Sequence, residues 1–197
     1  MTMDGTVDFG VYHHSSREES EKLRNGIASI FKEAISDLKS RTDNERFTRG
    51  LDAGCGSGFV SHLLHDSFPD MHIWAIDNFS DSSLENNSME NTVRNFEYLG
   101  MTDAVTIVKA DLRKIPLEEG YFNLAASSLV YHNLGRNFLT GISEVHRVLE
   151  EDGIFLYGDI FTGKRMGIIR ELFKVENTLK PEGMKEYSIL TLSKKRH

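Results

Sequence analysis

The spacing of apolar residues changes along the chain, and each change indicates a different element. From Leu23 to Leu38, apolar residues recur at helical spacing. Ser15 and Ser16 each stand three residues before a glutamate, so either serine is a candidate capping box for this predicted helix. A polar loop over residues 41–46 then separates the helix from the rest of the pattern.

Short apolar runs and helical segments alternate after this loop. Strands are predicted at residues 48–53, 71–76, 104–109, 121–126 and 153–160. Among the intervening helices, the one predicted from Ser80 to Leu99 contains four asparagines, which are weak helix formers. Two β-rich runs, residues 173–179 and 186–193, flank Pro181-Glu182-Gly183 and predict a closing hairpin. The alternation predicts an α/β fold, with helices on both faces of a parallel sheet.

The turn after the first predicted strand carries the clearest chemical signal. It reads Asp52-Ala53-Gly54-Cys55-Gly56-Ser57-Gly58, and closely spaced glycines let a ligand approach the backbone. The third glycine comes one residue earlier than in the dinucleotide fingerprint, and no Gly-Lys-Ser/Thr follows as in a P-loop. The carboxylate of Asp52 is poorly placed beside a pyrophosphate and suits a ligand with a positive amino group.

Further polar residues stand at the carboxyl ends of predicted strands, where parallel sheets bind ligands. These residues are Asp77, Asp111, Ser127 and Asp159. Two of them have a purely structural alternative, a helix N-cap for Asp77 and a turn residue for Asp111.

Composition narrows the class of protein. The 197 residues include 23 Lys and Arg against 30 Asp and Glu, for a net charge of −7, which argues against binding to nucleic acid. Cys55 is the single cysteine, so no internal disulfide forms. No apolar run reaches the roughly 18 residues of a membrane span, and no secretory signal begins the chain. We therefore expect a cytoplasmic protein with no membrane partner, built as a single domain.

The motif Asp-x-Gly-x-Gly-x-Gly resembles motif I of the class I S-adenosylmethionine-dependent methyltransferases, and the similarity extends over about residues 48–160. Residues 120–134 resemble the small-molecule type, similar to the ubiquinone and menaquinone biosynthesis methyltransferases, although Asn123 replaces the family's usual aspartate. This resemblance implies a Rossmann-like, doubly wound seven-stranded sheet of order 3-2-1-4-5-7-6 with strand 7 antiparallel. Residues 1–47 would form an N-terminal helical cap and residues 48–197 the S-adenosylmethionine-binding core.

The resemblance also implies roles for individual residues. Asp52 and the glycine turn would hold the methionine end of the cofactor, Asp77 the ribose hydroxyls, and Asp111 with Leu112 the adenine. The implied cofactor-binding residues are Asp52, Gly54, Cys55, Gly56, Gly58, Asp77, Asn78, Asp111, Leu112 and Ser127.

The acceptor side is predicted from fewer signals. His132 is the candidate general base, and Tyr12, His132 and Asp159 are the candidate acceptor-binding residues. No metal site is predicted, because the pair His13-His14 lacks a third ligand at suitable spacing.

The predicted function is methyl transfer from S-adenosylmethionine to an unidentified small molecule, by a monomer or homodimer. The first alternative is a non-catalytic S-adenosylmethionine-binding or regulatory protein of the same fold. The second alternative, a nicotinamide-dependent oxidoreductase, is disfavoured by the glycine spacing and by Asp52.

Overall fold

Seven strands form one sheet in the computed structural model, which describes residues 7–184 and 186–195. They are β1 (Arg49–Ala53), β2 (His72–Asp77), β3 (Val105–Lys109), β4 (Phe122–Ser128), β5 (Leu149–Ile160), β6 (Phe173–Leu179) and β7 (Tyr187–Lys194). Their order is β3-β2-β1-β4-β5-β7-β6, with β7 antiparallel to both neighbours and the other pairs parallel. The strand order and the antiparallel β7 that the resemblance implied are confirmed.

Helices cover both faces of this sheet. They are α1 (Arg17–Arg41), α2 (Phe59–Ser67), α3 (Met89–Tyr98), α4 (Phe138–Val148) and α5 (Gly163–Leu172), with short 3₁₀ helices at Asn44–Arg46 and Tyr131–Asn137. Because successive side chains of a strand point to opposite faces, neighbouring residues of β5 enter different cores. Leu156 packs with α1 and α2, whereas Phe155 packs with α4 and α5.

The segment before α3 differs from the prediction. A helix from Ser80 is wrong, since α3 begins at Met89 with the Ser88 hydroxyl accepting the Asn91 N–H at 3.2 Å. Between them, the side chain of Asp81 accepts the Ser83 N–H at 2.8 Å, and that of Asn78 accepts the Ser80 N–H at 2.9 Å. Such local side-chain bonds compete with helical ones and keep residues 80–88 as a loop.

Other boundaries move by a few residues. β4 continues to Ser128, so Ser127 and Ser128 lie within the strand and not after it. Of the two candidate capping boxes, the structure forms the one at Ser16, with Glu19 as its partner. The amide oxygen of Asn123 accepts the Arg49 N–H at 3.0 Å, which joins the starts of β4 and β1.

An N-terminal segment, residues 7–16, leads into α1 and lies against the loop before α3. Tyr12 forms a bridge with Leu84, and the Glu85 N–H donates to the Val11 carbonyl at 2.9 Å. The predicted cap thus consists of this segment and α1, while residues 1–6 lie outside the described residues. None of the described helices is both long enough and apolar enough to span a membrane.

Candidate functional site

A cavity of about 980 Å³ opens at the carboxyl ends of the parallel strands. This volume lies at the upper end of the range for small-molecule and cofactor sites, about 300–1,000 Å³. One part, which we call the β1–β3 wall, consists of Gly54, Cys55, Gly56, Asp77, Asn78, Asp111 and Leu112. The other part, the β4–β7 wall, consists of Ser128, His132, Ile160, Tyr187 and, from the N-terminal segment, Tyr12.

The glycine turn follows β1 in a conformation that favours glycine. Gly54, Gly56 and Gly58 have φ angles of 81°, 49° and 89°, where side chains with a Cβ are strained. A Cβ at Gly54 would overlap with Val130, and one at Gly58 would overlap with Phe96. The backbone of this turn is therefore packed closely against its neighbours.

Polar side chains of α3 hold the turn from behind. The Thr92 hydroxyl donates to the Gly56 carbonyl at 2.6 Å, and the Asn95 amide donates to the Ser57 carbonyl at 2.8 Å. The same Asn95 amide donates to the Asp8 carbonyl at 2.8 Å, and Asn91 donates to that carbonyl at 3.0 Å. The turn and the N-terminal segment thus share one hydrogen-bonded support.

Sequence reasoning missed this support. Asn91 and Asn95 are four residues apart, so they lie on the same face of a helix. That spacing was a signal of a polar contact face, but it does not say what the face contacts.

Asp77 ends β2 and points into the cavity lining. Its two oxygens accept the Gly56 N–H at 2.9 Å and the Phe79 N–H at 2.7 Å. Burial raises the pKa of Asp77, and these backbone hydrogen bonds oppose the rise. The alternative role as a helix N-cap is wrong, because Ser88 caps α3.

Three predicted cofactor residues lie behind the turn and outside the cavity lining. Asp52 is fully buried and accepts the Ser61 N–H and hydroxyl at 2.8 Å and 2.6 Å. Ser127 is also fully buried and donates to the Ala53 carbonyl at 2.7 Å, while Gly58 packs on Phe96. These three residues therefore support the glycine turn and do not line the cavity.

Asp52 has an unusual electrostatic state. Its Oδ1 atom is buried and has no hydrogen-bond partner in the described part of the chain. Burial raises the pKa of Asp52 to about 7, and the nearby Asp77 adds to the rise. A positive ligand group above the turn would favour the ionised forms of both carboxyls.

Asp111, Leu112 and Asn78, three further candidates for cofactor binding, also belong to the β1–β3 wall. Asp111 forms an ion pair with Arg113, whose hydrogen bonds hold the pKa of Asp111 below its usual range. Leu112 and Asn78 also line the cavity. Asn78 stands beyond the end of β2, the strand beside β1, and Asp111 and Leu112 stand beyond the end of β3, which is next to β2.

His132 lines the β4–β7 wall, and a buried carboxylate orients it. Its Nδ1 lies 2.6 Å from Oδ1 of Asp159, and its backbone N–H donates to Oδ2 at 3.1 Å. Tyr157 donates its hydroxyl to Oδ2 at 2.9 Å, and the Ile160 N–H donates to Oδ1 at 2.7 Å. Because the carboxylate accepts at Nδ1, that nitrogen carries the proton and Nε2 is left as an acceptor.

Asp159 itself is fully buried and absent from the cavity lining, so it was misplaced as an acceptor-binding residue. It contacts His132, which lies between it and the cavity. Tyr12 does line the cavity, as predicted. Tyr187 and Ser128 were missed, and their hydroxyl oxygens lie 2.9 Å apart in the β4–β7 wall.

Metal binding finds no support among the residues that the structure describes. No group of three or more His, Cys, Asp or Glu side chains in residues 7–184 and 186–195 could hold an ion.

Comparison with known proteins places this architecture in a family. Residues 51–157, more than half of the chain, match the family model described as a methyltransferase domain. The matched region runs from the end of β1 into β5 and so includes both walls, apart from Tyr12, Ile160 and Tyr187.

Two curated relatives show the range of activities found among similar chains. The malonyl-[acyl-carrier protein] O-methyltransferase of Bacillus cereus is 29% identical over 141 residues, which cover 70% of this chain and 44% of the relative. The human mitochondrial arginine-hydroxylase NDUFAF5 is 25% identical over 162 residues, which cover 82% of this chain and 41% of the relative. The chain therefore spans less than half the length of these two relatives.

Among solved structures, the [4+2]-cyclase SpnF superimposes with a TM-score of 0.66 at 14% sequence identity. The match covers 98% of this chain and 88% of SpnF. At this identity the similarity concerns the fold alone, and it includes the cap as well as the sheet.

Proposed function

The chain belongs to the methyltransferase domain family, and on this premise we propose that it transfers the methyl group of S-adenosylmethionine to a small-molecule acceptor. One observation carries the proposal: a single cavity joins the glycine turn and Asp77 to the oriented imidazole of His132. Its volume of about 980 Å³ accommodates a cofactor and a small acceptor together.

The β1–β3 wall fits the donor molecule. Asp77 is held by two backbone N–H groups, and each of its oxygens retains capacity to accept a hydroxyl of the ribose. Asp111 and Leu112, which line the same wall, would bind the adenine. When bound, S-adenosylmethionine supplies a methyl group activated by a positively charged sulfur. Asp52 and Ser127 would act through the turn they support.

The β4–β7 wall fits an acceptor that loses a proton on methylation. His132, which lines the cavity, would accept the proton at Nε2, while Asp159 holds Nδ1–H and stabilises the imidazolium that forms. Tyr12 and Tyr187 add apolar rings and hydroxyl groups, which orient an acceptor and exclude water.

Ligand-dependent thermal unfolding tests the donor. S-adenosylmethionine and S-adenosylhomocysteine, at about 100 times Kd, should each add roughly 2.7 kcal/mol and raise Tm by roughly 5–10 °C, whereas NADH should not. Asp77→Asn should weaken binding of both adenosyl ligands by about 10- to 100-fold, because it removes a charged acceptor from the ribose. Asp103→Asn, an exposed substitution in the turn before β3, serves as the matched control.

Turnover separates the proposal from its alternatives. Formation of S-adenosylhomocysteine with any member of an acceptor panel supports the enzyme. A non-catalytic binding protein would show the thermal shift but no product with any acceptor. A shift with NADH alone would contradict the donor assignment.

A further inference from the structure

Arg165 on α5 is bonded to two residues of the β4–β7 wall. Its Nη2 donates to the His132 carbonyl at 2.8 Å, and its Nη1 donates to the Ile160 carbonyl at 3.1 Å. Both of these residues line the cavity, whereas Arg165 is not part of the lining. A guanidinium presents its N–H donors in a rigid planar fork, so it can hold two acceptors at a fixed separation. Arg165 therefore joins two cavity-lining residues from outside the cavity.

The same two residues are also bonded to Asp159. The backbone N–H of His132 donates to Oδ2 of this carboxylate at 3.1 Å, and the backbone N–H of Ile160 donates to Oδ1 at 2.7 Å. At both residues the main chain is thus held by a carboxylate through its N–H and by a guanidinium through its carbonyl. The four hydrogen bonds close a ring through Asp159, His132, Arg165 and Ile160.

The segment that carries His132 has little internal support. His132 is the second residue of the 3₁₀ helix Tyr131–Asn137, and 3₁₀ hydrogen bonds have poorer geometry than those of an α-helix. The helix is interrupted at Gly135, with a φ of 54° and a ψ of −118°, and no side chain caps its start at Val130. Contacts with other elements must therefore fix the position of His132.

Arg165 is itself fixed by its surroundings. Its backbone N–H donates to the Thr162 hydroxyl at the N-cap of α5, at 3.4 Å. Its guanidinium carbon lies 5.5 Å from the centroid of the Phe138 ring, a distance at which the ring attracts the cation. Burial and the charge of Asp159 raise the pKa of Tyr157, and the Arg165 charge opposes this rise, as expected for a cation close to these side chains.

Arg147 makes the same type of contact elsewhere in the fold. From α4 it donates to the carbonyls of Ile115 and Leu117 at 2.9 Å and 3.0 Å, and it forms an ion pair with Glu144. None of these four residues lines the cavity. Arg147 is thus a matched case in which a guanidinium joins two backbone carbonyls without contacting the site.

We propose that Arg165 is a positioning residue for the reaction. By holding the carbonyls of His132 and Ile160, it keeps the imidazole of His132 on Asp159. This contact keeps the proton on Nδ1 and leaves Nε2 as the acceptor. Arg165 acts through His132 and does not touch the ligands. The inference rests on the proposed function, in which His132 takes the proton of the methyl acceptor.

Nitrogen NMR of the ligand-free protein measures the position of the imidazole without any turnover. In wild type, the neutral His132 should carry its proton on Nδ1, because Asp159 accepts there. Arg165→Met should replace this signal, which is identified by its absence in His132→Gln, with an average of the two tautomers. Arg165→Lys keeps the charge but not the fork and should recover part of the wild-type signal. Arg147→Met is the control and should retain the signal.

Steady-state kinetics test the consequence for turnover. With an acceptor that wild type methylates, Arg165→Met should lower kcat by about 10- to 100-fold, because a misplacement of about 1 Å can cost about 10²-fold. KM for S-adenosylmethionine should stay near that of wild type, since Arg165 lies outside the donor wall. Adding Arg165→Met to His132→Gln should cause no further loss of kcat, because both changes remove the same function.

Three results would overturn the proposal. The first is an unchanged Nδ1–H signal in both folded Arg165 variants. The second is an equal loss of that signal in Arg147→Met, which would reflect a general effect on the structure. The third is a loss of kcat that multiplies with that of His132→Gln, which would show that Arg165 acts independently of His132. If wild type forms no S-adenosylhomocysteine with any acceptor, the proposed function fails, and the NMR comparison decides on Arg165 alone.

Discussion

The two walls of the cavity are built in different ways. In the β1–β3 wall, the functional residues follow directly on strand ends, and backbone amides hold them, as Gly56 and Phe79 hold Asp77. In the β4–β7 wall, the contacts join distant parts of the chain. Ser128 meets Tyr187 across 59 residues, and His132 meets Asp159 across 27. Backbone amides thus hold the polar side chain of Asp77 in the β1–β3 wall, while contacts between side chains hold the polar groups of the β4–β7 wall.

This difference affects how far substitutions elsewhere in the chain can change the surface of each wall. The turn of the β1–β3 wall is held by Thr92 and Asn95 of α3, which are not among the residues that line the cavity. A wall assembled from β4, β5, β7 and the N-terminal segment changes when any one of them changes. The arrangement allows one donor to serve different acceptors, in line with the varied activities named for similar proteins.

The largest expected effect concerns the β4–β7 wall. His132→Gln should lower kcat/KM by about 10²- to 10⁴-fold, because it removes the imidazole that accepts the acceptor proton. Asp159→Asn should also lower kcat/KM, since the carboxylate that orients Nδ1–H is lost. The measurement is S-adenosylhomocysteine formation under subsaturating acceptor. His65→Gln on α2, outside the cavity lining, is the control, and full activity of folded His132→Gln would leave orientation alone as the source of catalysis.

The next effect concerns the support beneath the β1–β3 wall. The pKa of Asp52 is about 7 in the folded protein, above about 3.9 in an unfolded chain, so the native state binds the proton more tightly. Wild type should therefore lose stability relative to Asp52→Asn as pH rises from about 4 to about 7, with no further loss above. The difference is on the order of 4 kcal/mol. Urea unfolding of both proteins across this range measures it, and a pH-independent difference would refute the buried titration.

A smaller effect tests whether the glycine turn depends on close packing. Gly58→Ala should destabilise the protein by about 2–4 kcal/mol, because the added Cβ overlaps with Phe96 at a positive φ. Gly100→Ala is the matched control, since its φ is also positive but no atom lies within 4 Å of its Cβ. Gly100→Ala should lower the free energy of unfolding by about 1–2 kcal/mol. Equal losses of stability in the two variants would show that the positive φ, and not the contact with Phe96, is the reason for glycine at position 58.

More of the β1–β3 wall than of the β4–β7 wall could be predicted from the sequence. The glycine spacing, Asp77 and Asp111 are visible in a single stretch of pattern, and all of them line the cavity or form its turn. The helix predicted from Ser80 failed because side chains such as Asp81 form local hydrogen bonds that propensity counts poorly. Tyr187 carried no local signal, since a tyrosine in a strand is ordinary in sequence.

The sequence by itself determined the family, the alternation of strands and helices, and the turn that approaches the donor, because periodicity and glycine geometry are properties of neighbouring residues. Only the tertiary structure decided that Asp52 lies beneath the turn, that Asp159 contacts His132, and that Tyr187 lies beside Ser128. Burial and charge pairing depend on which distant segments meet. That information exists only once the sheet, the cap and the loops have packed together.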